Sequence, residues 1–529
     1  MAPSKIRIWI QWAVIRWQSR PVLKQMLRGL CRLGTWRVGR LLAGLTDVVA
    51  VYSRHTHPRE ASFVPGHSDL DATVVLADDA ARDPDRIRAL SETIESYNRL
   101  HFYLNPQDVR IISTAELDRY TRRFPSPHEI LYTPDDWLLL AGREVRKEKA
   151  RHLSPDQLPW HPEFNKWWQH IMQDYLLVPK PGLEDQYLRV FFRSALRQKL
   201  QFLASSGKEI PKPWGHVSDD LVVAAFEDDA PLRERLCELA GRDFWAKDPL
   251  GTKTRILQAV FQSANHFFLN DAPNPDLIWD EPDDPSGRDA HANAYDALHG
   301  ELRKNAELTS LLRGIKAYPI PHFHPYFYQV DLIISDDLPP DQFRDVFTAL
   351  IRAFKGREFH IGDDGFFLTV MTETLAKSPL VYLGSSYPFL LDHVQRYGEV
   401  ILGRESRAPK GFMGKEDMVK WSRIFLPYYV FNLGQRIEYS SRSLNFCQLA
   451  SVRLFLETDQ RETDPTVLRQ LYRTHFKEET PDERLWNYVM TDKPGRQNRV
   501  LYSAATMRLM EECRRVEELL HGGRRRGET

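Results

Sequence analysis

Residues 64–76 read VPGHSDLDATVVL, and this stretch decides the fold. Asp69 and Asp71 are two residues apart, so on a β-strand both side chains point to the same face of the sheet. The apolar run at 74–76 indicates that the strand continues into a core. Two carboxylates this close repel each other unless a cation lies between them, and paired oxygen ligands suit Mg2+ or Mn2+. The stretch therefore predicts a strand that carries a metal site.

The segments around this stretch strengthen that interpretation, because an Asp-x-Asp pair before an apolar run is also a common start of an ordinary strand. Residues 45–54 predict a strand that ends in Ser53 and the basic residue after it. Residues 85–100 have apolar side chains at helical spacing, which predicts an amphipathic helix. Residues 107–112 predict a further strand with Asp108 near its start. The order is strand, strand with two acids, helix, strand with a third acid.

This order resembles the polymerase-beta-type nucleotidyltransferase superfamily over residues 45–145. In that family a Gly-Ser pair ends the first strand and holds the triphosphate, and the Asp-x-Asp pair binds divalent metal. The third acid is a metal ligand or a general base. The resemblance implies metal and catalytic roles for Asp69, Asp71 and Asp108. It implies nucleotide contacts for Ser53, Arg54 and Ser68.

The sequence departs from the family pattern at Tyr52, which stands where the family has the glycine before its serine. Glycine allows the backbone to approach a phosphate closely, and a bulky side chain hinders that approach. The departure bears on nucleotide affinity and leaves the acids of the predicted metal site unchanged.

The resemblance implies a reaction: metal-dependent transfer of a nucleoside monophosphate from a nucleoside triphosphate, such as ATP, to a hydroxyl-type acceptor, with release of pyrophosphate. Mg2+ or Mn2+ is the expected cofactor. The acceptor stays open between an antibiotic-like small molecule, a protein side chain, an RNA end and a second nucleotide. The alternative is a nucleotidyltransferase-like binding or scaffold protein without catalytic activity.

Composition limits the partners. The chain has 529 residues, and its 72 basic and 72 acidic side chains cancel. No overall field recruits a polyanion, which counts against a dedicated nucleic-acid binder. The four cysteines are scattered without paired spacing, which predicts reduced thiols, no zinc site and a cytoplasmic protein.

Residues 1–46 contain nine basic side chains and no acid. Their apolar run is too short for a signal peptide or a membrane span. One interpretation is a pair of basic amphipathic helices packed on the catalytic domain. The other is a basic arm that contacts a membrane surface or an acidic partner.

The predicted fold class is α/β plus α-helical: a nucleotidyltransferase-like mixed sheet with a helical domain, duplicated in tandem, with a degenerate second copy. The predicted domains are basic helices at 1–46, a catalytic domain at 47–149, a helical domain at 150–270, a linker at 271–289, a degenerate nucleotidyltransferase-like domain at 290–410 and a C-terminal helical domain at 411–520.

The duplication is inferred from short matches in constant order. Residues 74–79 match residues 332–337 at a shift of 258, and Gly142-Arg143-Glu144 recurs at 403–405 at a shift of 261. Weaker matches follow in the helical parts. Two copies of this length are not a solenoid, whose repeats are far shorter.

The second copy lacks the acids. A shift of 258 places Phe327 at the position of Asp69 and Gln329 at that of Asp71, and the third acid falls on Phe366. Aromatic side chains at such positions favour a filled core over a metal site. The first copy is therefore the candidate catalyst, and the second is a structural or substrate-binding partner.

Two further groups of residues have weaker signals. His322 and His324 share a face if the chain is extended, but a metal site needs more ligands, which favours a strand-edge feature. Arg193, Arg197 and Lys199 lie on a predicted helix where the resemblance implies a contact with the triphosphate. A solvated helix face is the competing interpretation for each of them.

Overall fold

The computed structural model describes most of the chain. The residues outside the description are 1–4, 18–19, 55–62, 64, 66–67, 69, 99–108, 116, 119–136, 147–170, 172–175, 178–184, 209–222, 224, 273–276, 279–285, 323–326, 355–359, 362–363, 384–386, 404–411, 416–440, 478–510, 513, 517 and 520–529. The described part is a mixed α/β protein with two mixed β-sheets. No described helix has the length and hydropathy needed to span a bilayer.

The chain forms two compact units, and each is discontinuous in sequence. The first contains residues 1–158, 213–216 and 415–529, and the second contains residues 159–212 and 217–414. The described parts of residues 271–289, which the sequence marks as a linker, belong to the second unit.

The first unit begins with two helices and the first sheet. Its described elements are α1 (Lys5–Trp17), α2 (Pro21–Ala43), β1 (Val48–Ser53), β2 (Ala72–Leu76), α3 (Pro84–Asn98), β3 (Arg110–Ser113) and β4 (Leu138–Gly142). The predicted strand, strand, helix and strand are thus present over residues 45–113. Two helices much later in the chain also belong to this unit. Helices are numbered along the whole chain, so these two are α14 (Ser441–Thr458) and α15 (Pro465–His475).

The first sheet has the strand order β3-β2-β1-β4. Strand β1 pairs antiparallel with β2 and β4, and β2 pairs parallel with β3 across the connecting helix α3. Strand β2 is buried along its whole length, as expected for a central strand covered on both faces. One face packs on α2 and α3 through residues such as Val51, Val74 and Ile87. The other face has a smaller core around Val75 and Trp137.

The second unit contains the remaining described elements. The helices are α4 (Arg189–Ser205), α5 (Ala230–Gly241), α6 (Pro249–His266), α7 (Ser286–Asp289), α8 (Ala292–Arg303), α9 (Ala306–Ser310), α10 (Pro340–Phe354), α11 (Glu373–Lys377), α12 (Pro379–Leu383) and α13 (Leu390–Tyr397). The strands are β5 (Leu277–Ile278), β6 (Gly314–Pro319), β7 (Phe327–Ile334), β8 (His360–Ile361), β9 (Asp364–Thr372), β10 (Glu399–Leu402) and β11 (Phe412–Met413).

The second sheet has the strand order β10-β6-β7-β9-β8, and a separate pair joins β5 to β11. Strand β6 pairs antiparallel with β7 and β10, while β7 pairs parallel with β9. Four of its strands therefore have the same order and the same relative directions as the four strands of the first sheet.

Local features recur in both sheets as well. Gly142 ends β4 and Gly403 follows β10, and both have left-handed backbone with φ of +89° and +74°. A β-carbon on either would meet the neighbouring strand at Val49 or Arg313. Asp78 accepts a hydrogen bond from the backbone NH of Ala115 at 2.8 Å, at the start of the helical turn after β3. Asp336 accepts one from Thr374 at 3.0 Å, in the helix after β9.

The long helix α6, which lies between the two sheets in sequence, packs within the second unit. α6 contacts α10, and Gln258 on α6 donates a hydrogen bond to the carbonyl group of Leu338 at 2.9 Å. Asn265 accepts one from the hydroxyl group of Thr372 at 2.6 Å. These contacts tie the long helix α6 to the second sheet.

Candidate functional site

The described part of the predicted site lies where β1 ends and β2 begins. Arg54 follows β1, and its backbone NH donates a hydrogen bond to the carbonyl group of Asp71 at 2.7 Å. Its guanidinium group lies 3.9 Å from the carboxylate of Asp71. The Arg54 side chain is only 2% exposed and the Asp71 side chain 18%. The structure thus brings two of the predicted site residues into one partly buried ion pair.

The face that carries Asp71 continues along β2 to Thr73 and Val75, because alternate residues of a strand share a face. Thr73 pairs with Tyr52 on β1 and with Arg110 on β3. The Thr73 hydroxyl group is buried, and within the described part of the chain it has no hydrogen-bond partner. A polar oxygen thus lies two residues from Asp71 on the same face.

The side chain of Ser53 lies on the opposite face of the sheet. Ser53 pairs with Ala72, which belongs to the core formed with α2 and α3. The hydroxyl group of Ser53 is buried there, and no described residue forms a hydrogen bond with it. The structure therefore does not bring the Ser53 side chain together with Asp71.

The other predicted residues of the site divide into two groups. Ser68 is buried, with 8% of its surface exposed. Leu70, two residues further on, packs in the helix-side core. Asp69 and Asp108 lie outside the described residues.

Tyr52 is a core residue whose hydroxyl group forms hydrogen bonds within the protein. It is fully buried, and its hydroxyl group donates to the Glu144 carboxylate at 2.7 Å and accepts from the NH of Val145 at 3.1 Å. The Arg146 guanidinium carbon lies 4.8 Å from the centre of the Tyr52 ring. Burial, followed by the interaction with Glu144, raises the pKa of Tyr52 to about 12.

Glu144 and Arg146 join Tyr52 in a network to which sequence analysis assigned no role. Arg146 donates to Glu144 through Nε at 2.7 Å and Nη2 at 2.6 Å, and through Nη1 to the carbonyl group of Trp137 at 2.9 Å. Hydrogen bonds from Arg146 and then Tyr52 lower the pKa of Glu144 to about 2. The recurrence of Gly-Arg-Glu at 142–144 and 403–405 was the one sequence signal that marked this end of β4.

The corresponding face of the second sheet holds a buried pair of opposite charges. Lys316 on β6 lies 3.7 Å from Asp331 on β7, and both side chains are at most 2% exposed. Gln329 donates a hydrogen bond to Asp331 at 3.1 Å and another to Thr369. Lys316 also contacts the hydroxyl group of Tyr382. Among the described residues of this face, the carboxylate of Asp331 is paired with the ammonium group of Lys316, and the side chains of Gln329, Thr369 and Tyr382 are neutral.

The strand pairing corrects one alignment inferred from sequence. In the first sheet Val74 pairs with Ile111, and in the second Leu332 pairs with Val370, so the shift is 258 on β2 but 259 on β3. The residue beside Gln329 is therefore Phe367, and Phe366 pairs with Tyr328 and stacks on it at 5.2 Å. Phe367 stacks on Phe327 at 5.6 Å. Phe367, and not Phe366, is therefore the residue of β9 to compare with Asp108 if the two sheets are related.

The prediction of a solvated face is wrong for Lys199 on α4. Its side chain is buried, and its ammonium group lies 4.8 Å from the centre of the Phe226 ring. Burial lowers the pKa of Lys199. Arg193 is partly buried, and the side chain of Arg197 lies outside the described residues.

His322 is buried in the second unit, and burial lowers its pKa to about 3. His324 lies outside the described residues. Among the residues that the structure describes, no group of three or more His, Cys, Asp or Glu side chains is placed to hold a metal ion.

The donor chemistry at Asp71 fits a hard divalent cation as far as the described residues extend. Mg2+ and Mn2+ take oxygen ligands, carboxylates and water among them, and on one face Asp71 supplies a carboxylate and Thr73 a hydroxyl oxygen.

Neither a protein-family model nor a curated protein nor a solved structure matches this chain.

Proposed function

We propose that the first sheet carries a metal-dependent nucleotidyltransferase site. The reaction would move a nucleoside monophosphate from a nucleoside triphosphate to a hydroxyl-type acceptor and release pyrophosphate. Asp69, Asp71 and Asp108 would hold Mg2+ or Mn2+. The support is chemical and topological: in the sequence an acidic pair comes directly before the central strand β2, whose neighbours are one antiparallel and one parallel strand.

The observation that carries the proposal is the register between β2 and β3. Thr73 pairs with Arg110, and all four described pairs have the same separation of 37 residues along the chain. Asp71 and Asp108 have this same separation in the sequence. The proposal requires that the register continue by two residues, which would place the two acids side by side as a shared metal site requires.

Each residue then has a defined task. The metal would neutralise charge that develops on the phosphates during in-line displacement. Asp69 and Asp71 would bind it, and Asp108 would complete the ligand set or accept the proton of the acceptor hydroxyl group. Arg54 would hold Asp71 in place and attract the triphosphate, since a guanidinium group binds phosphate oxygens in a bidentate manner.

The position of Ser53 changes one part of this assignment. Its side chain points into the helix-side core, and its backbone pairs with β2 on one side and with β4 on the other. We therefore assign phosphate contacts to Arg54 and Ser68, and treat Ser53 as a residue of the core.

We also propose that the two sheets arose by tandem duplication and that the second copy has lost the chemistry. The support is the shared strand order, the left-handed glycine at the end of the fourth strand and the aspartate that accepts from the helix after the third strand. Lys316 and Asp331 neutralise each other, so this face offers no surplus of negative charge for a metal.

A second candidate function is a binding or scaffold protein without turnover. The observation in its favour is the Arg54–Asp71 pair, because a guanidinium group already balances the charge of Asp71 at 3.9 Å. In this case the acids would serve to position Arg54 for an anionic ligand.

Nucleotide-dependent thermal stability separates the two candidates. The catalytic proposal expects a nucleoside triphosphate to raise the unfolding temperature only with Mg2+ present, because bound ligand stabilises the folded state. Asp71→Asn should abolish that rise, and Asp79→Asn, an exposed acid of the same domain with 80% of its side chain accessible, should retain it. A rise that does not depend on Mg2+ would favour the scaffold, in which Asp71→Asn weakens binding only through Arg54. Pyrophosphate release then reports turnover directly.

A further inference from the structure

The α2 helix has an exposed apolar face. Val22 is 79% exposed, Met26 52%, Leu30 60% and Leu33 61%. Their spacing of four, four and three residues places them on one side of a helix. The buried residues of the same helix, Thr35, Val38, Gly39 and Leu42, fall on the opposite side. We call the four exposed residues the α2 stripe.

The buried side of α2 shows that the helix is fixed in place. Gly39 packs so closely on Leu140 of β4 that a β-carbon there would lie 2.7 Å from the Leu140 β-carbon. The helix also contacts β1. The α2 stripe is therefore not the face that α2 needs for its own folding, and the exposure of large apolar residues in a row indicates a docking surface.

The charge around the stripe identifies the occupant. Residues 1–46 carry nine basic side chains and no acid. Arg37 and Arg40 are exposed, and Arg40 stacks 4.4 Å from the centre of the Trp36 ring. A helix with an apolar face and cationic flanks lies in the plane of an anionic membrane surface, with the apolar side chains below the headgroups.

The exposed tryptophans agree with a lipid surface. Trp9 is 64% exposed, Trp17 48% and Trp36 49%, and all three lie in α1 or α2. Tryptophan is enriched where headgroups meet water, since its ring is amphipathic. A second copy of this chain would bring the same basic segment against itself, which opposes self-association through this face.

We infer that α1 and α2 dock this protein on an anionic lipid bilayer through the α2 stripe and the exposed side chains of Arg37 and Arg40. The inference is independent of the proposed chemistry. It does bear on where that chemistry would occur, because Arg28 of the same helix donates a hydrogen bond to the carbonyl group of Phe63 at 3.2 Å. Phe63 lies five residues before Ser68, so the docking helix touches the segment that leads into the candidate site.

The test is flotation of the full-length protein with vesicles of phosphatidylcholine alone or mixed with phosphatidylglycerol. We expect binding to the anionic vesicles at least about tenfold tighter than to the neutral ones, and a strong decrease at about 0.5 M salt, where charges are screened. Leu30→Ser with Leu33→Ser should weaken binding at least about tenfold, because both side chains insert into the bilayer. Arg37→Glu with Arg40→Glu should do the same, without any change in apolar surface.

Leu269→Ser is the matched control, because Leu269 is 67% exposed and lies outside α1 and α2. It should bind like the wild type. The inference fails if anionic vesicles are not bound, if neutral vesicles bind equally well, or if both double variants bind normally. It also fails if the wild type ignores vesicles but binds polyglutamate, or if it forms dimers that the Leu30→Ser, Leu33→Ser protein does not form. Those two results would assign the stripe to an acidic protein or to a second copy of the chain.

Discussion

At the scale of single residues, Tyr52 has a structural role in the core of the first unit. Its ring fills the core between β1 and Trp137, and its hydroxyl group is held by Glu144 and by the NH of Val145. The side chain is bound within the protein, so its primary contribution is to stability.

We therefore predict that Tyr52→Gly unfolds far more easily than the wild type. Loss of a large buried aromatic side chain costs about 3–5 kcal/mol. Tyr52→Phe keeps the ring and loses only the hydroxyl contacts, so it should cost about 1–3 kcal/mol. Urea unfolding measures both changes. If Tyr52→Gly keeps the wild-type stability and gains nucleotidyl transfer, the tyrosine is instead a block to phosphate binding.

We expect Glu144 to make the stability of the first unit depend on pH in the acidic range. Its ordinary pKa of 4.5 falls to about 2 in the folded protein. A lowered pKa means that the folded state favours the carboxylate. The stability from this group is therefore fully present above about pH 4.5 and is lost as the pH falls through about 2.

Glu144→Gln should remove this dependence. We expect the variant to be less stable than the wild type at neutral pH, and the difference between them to shrink as the pH falls from about 4.5 to about 2. Chemical denaturation at a series of pH values measures it. Stability curves that stay parallel over this range would show that the bonds from Arg146 and Tyr52 do not stabilise the charged form.

At the scale of elements, the two sheets share a backbone feature that can be tested without any ligand. Gly142 and Gly403 have left-handed backbone, and a β-carbon on either would collide with the neighbouring strand. Gly142→Ala and Gly403→Ala should each destabilise the protein by at least about 1 kcal/mol. Gly300→Ala on α8, where a β-carbon meets open space, should be neutral or slightly stabilising. Thermal unfolding measures all three. If alanine at either position leaves the stability unchanged, the need for a left-handed glycine is not shared by the two sheets.

The local elements could be predicted from sequence because their signals are local. The apolar run at 74–76 marks β2, and the buried residues Ile87, Leu90 and Ile94 of α3 repeat at helical spacing. The matches at shifts near 258 predict a recurring module, which stays a proposal beside the shared order of four strands.

The parts that sequence reasoning missed depend on pairing between distant segments. The position of the Ser53 side chain follows from its pairing with Ala72, which alternation along one strand does not define. The correction from Phe366 to Phe367 also depends on pairing, in this case between β7 and β9. Glu144 reaches Tyr52 across 92 residues of chain, and Lys199 is buried by Phe226 from another segment.

At the scale of the whole molecule, the two compact units interleave along the chain. Residues 1–158 and 415–529 form most of one unit, and residues 159–212 and 217–414 form the other. A cut in the stretch at 271–289 would therefore divide the second unit internally and would remove the C-terminal part of the first.

We predict that the fragment 1–270 does not fold cooperatively. It lacks residues 415–529 of the first unit, and its helix α6 loses α10, Leu338 and Thr372 as partners. Exposed apolar surface on α6 should make the fragment aggregate, since the buried side chains of α6 would face water. Calorimetry and gel filtration test this. A monomeric fragment with a single sharp unfolding transition would show that the remaining segments are dispensable.

The central claim is that the acids of the first sheet direct nucleotidyl transfer. Its most direct measurement uses triphosphates labelled at the α-phosphate, incubated with the full-length protein, Mg2+ and a cell extract, followed by separation of the labelled product. We expect label to pass to an acceptor with the wild type and with Asp79→Asn. Asp69→Asn and Asp71→Asn should each reduce the rate at least about a hundredfold while the protein stays folded. Near-normal transfer by either variant, or no transfer by the wild type with any of the four triphosphates, would contradict the claim.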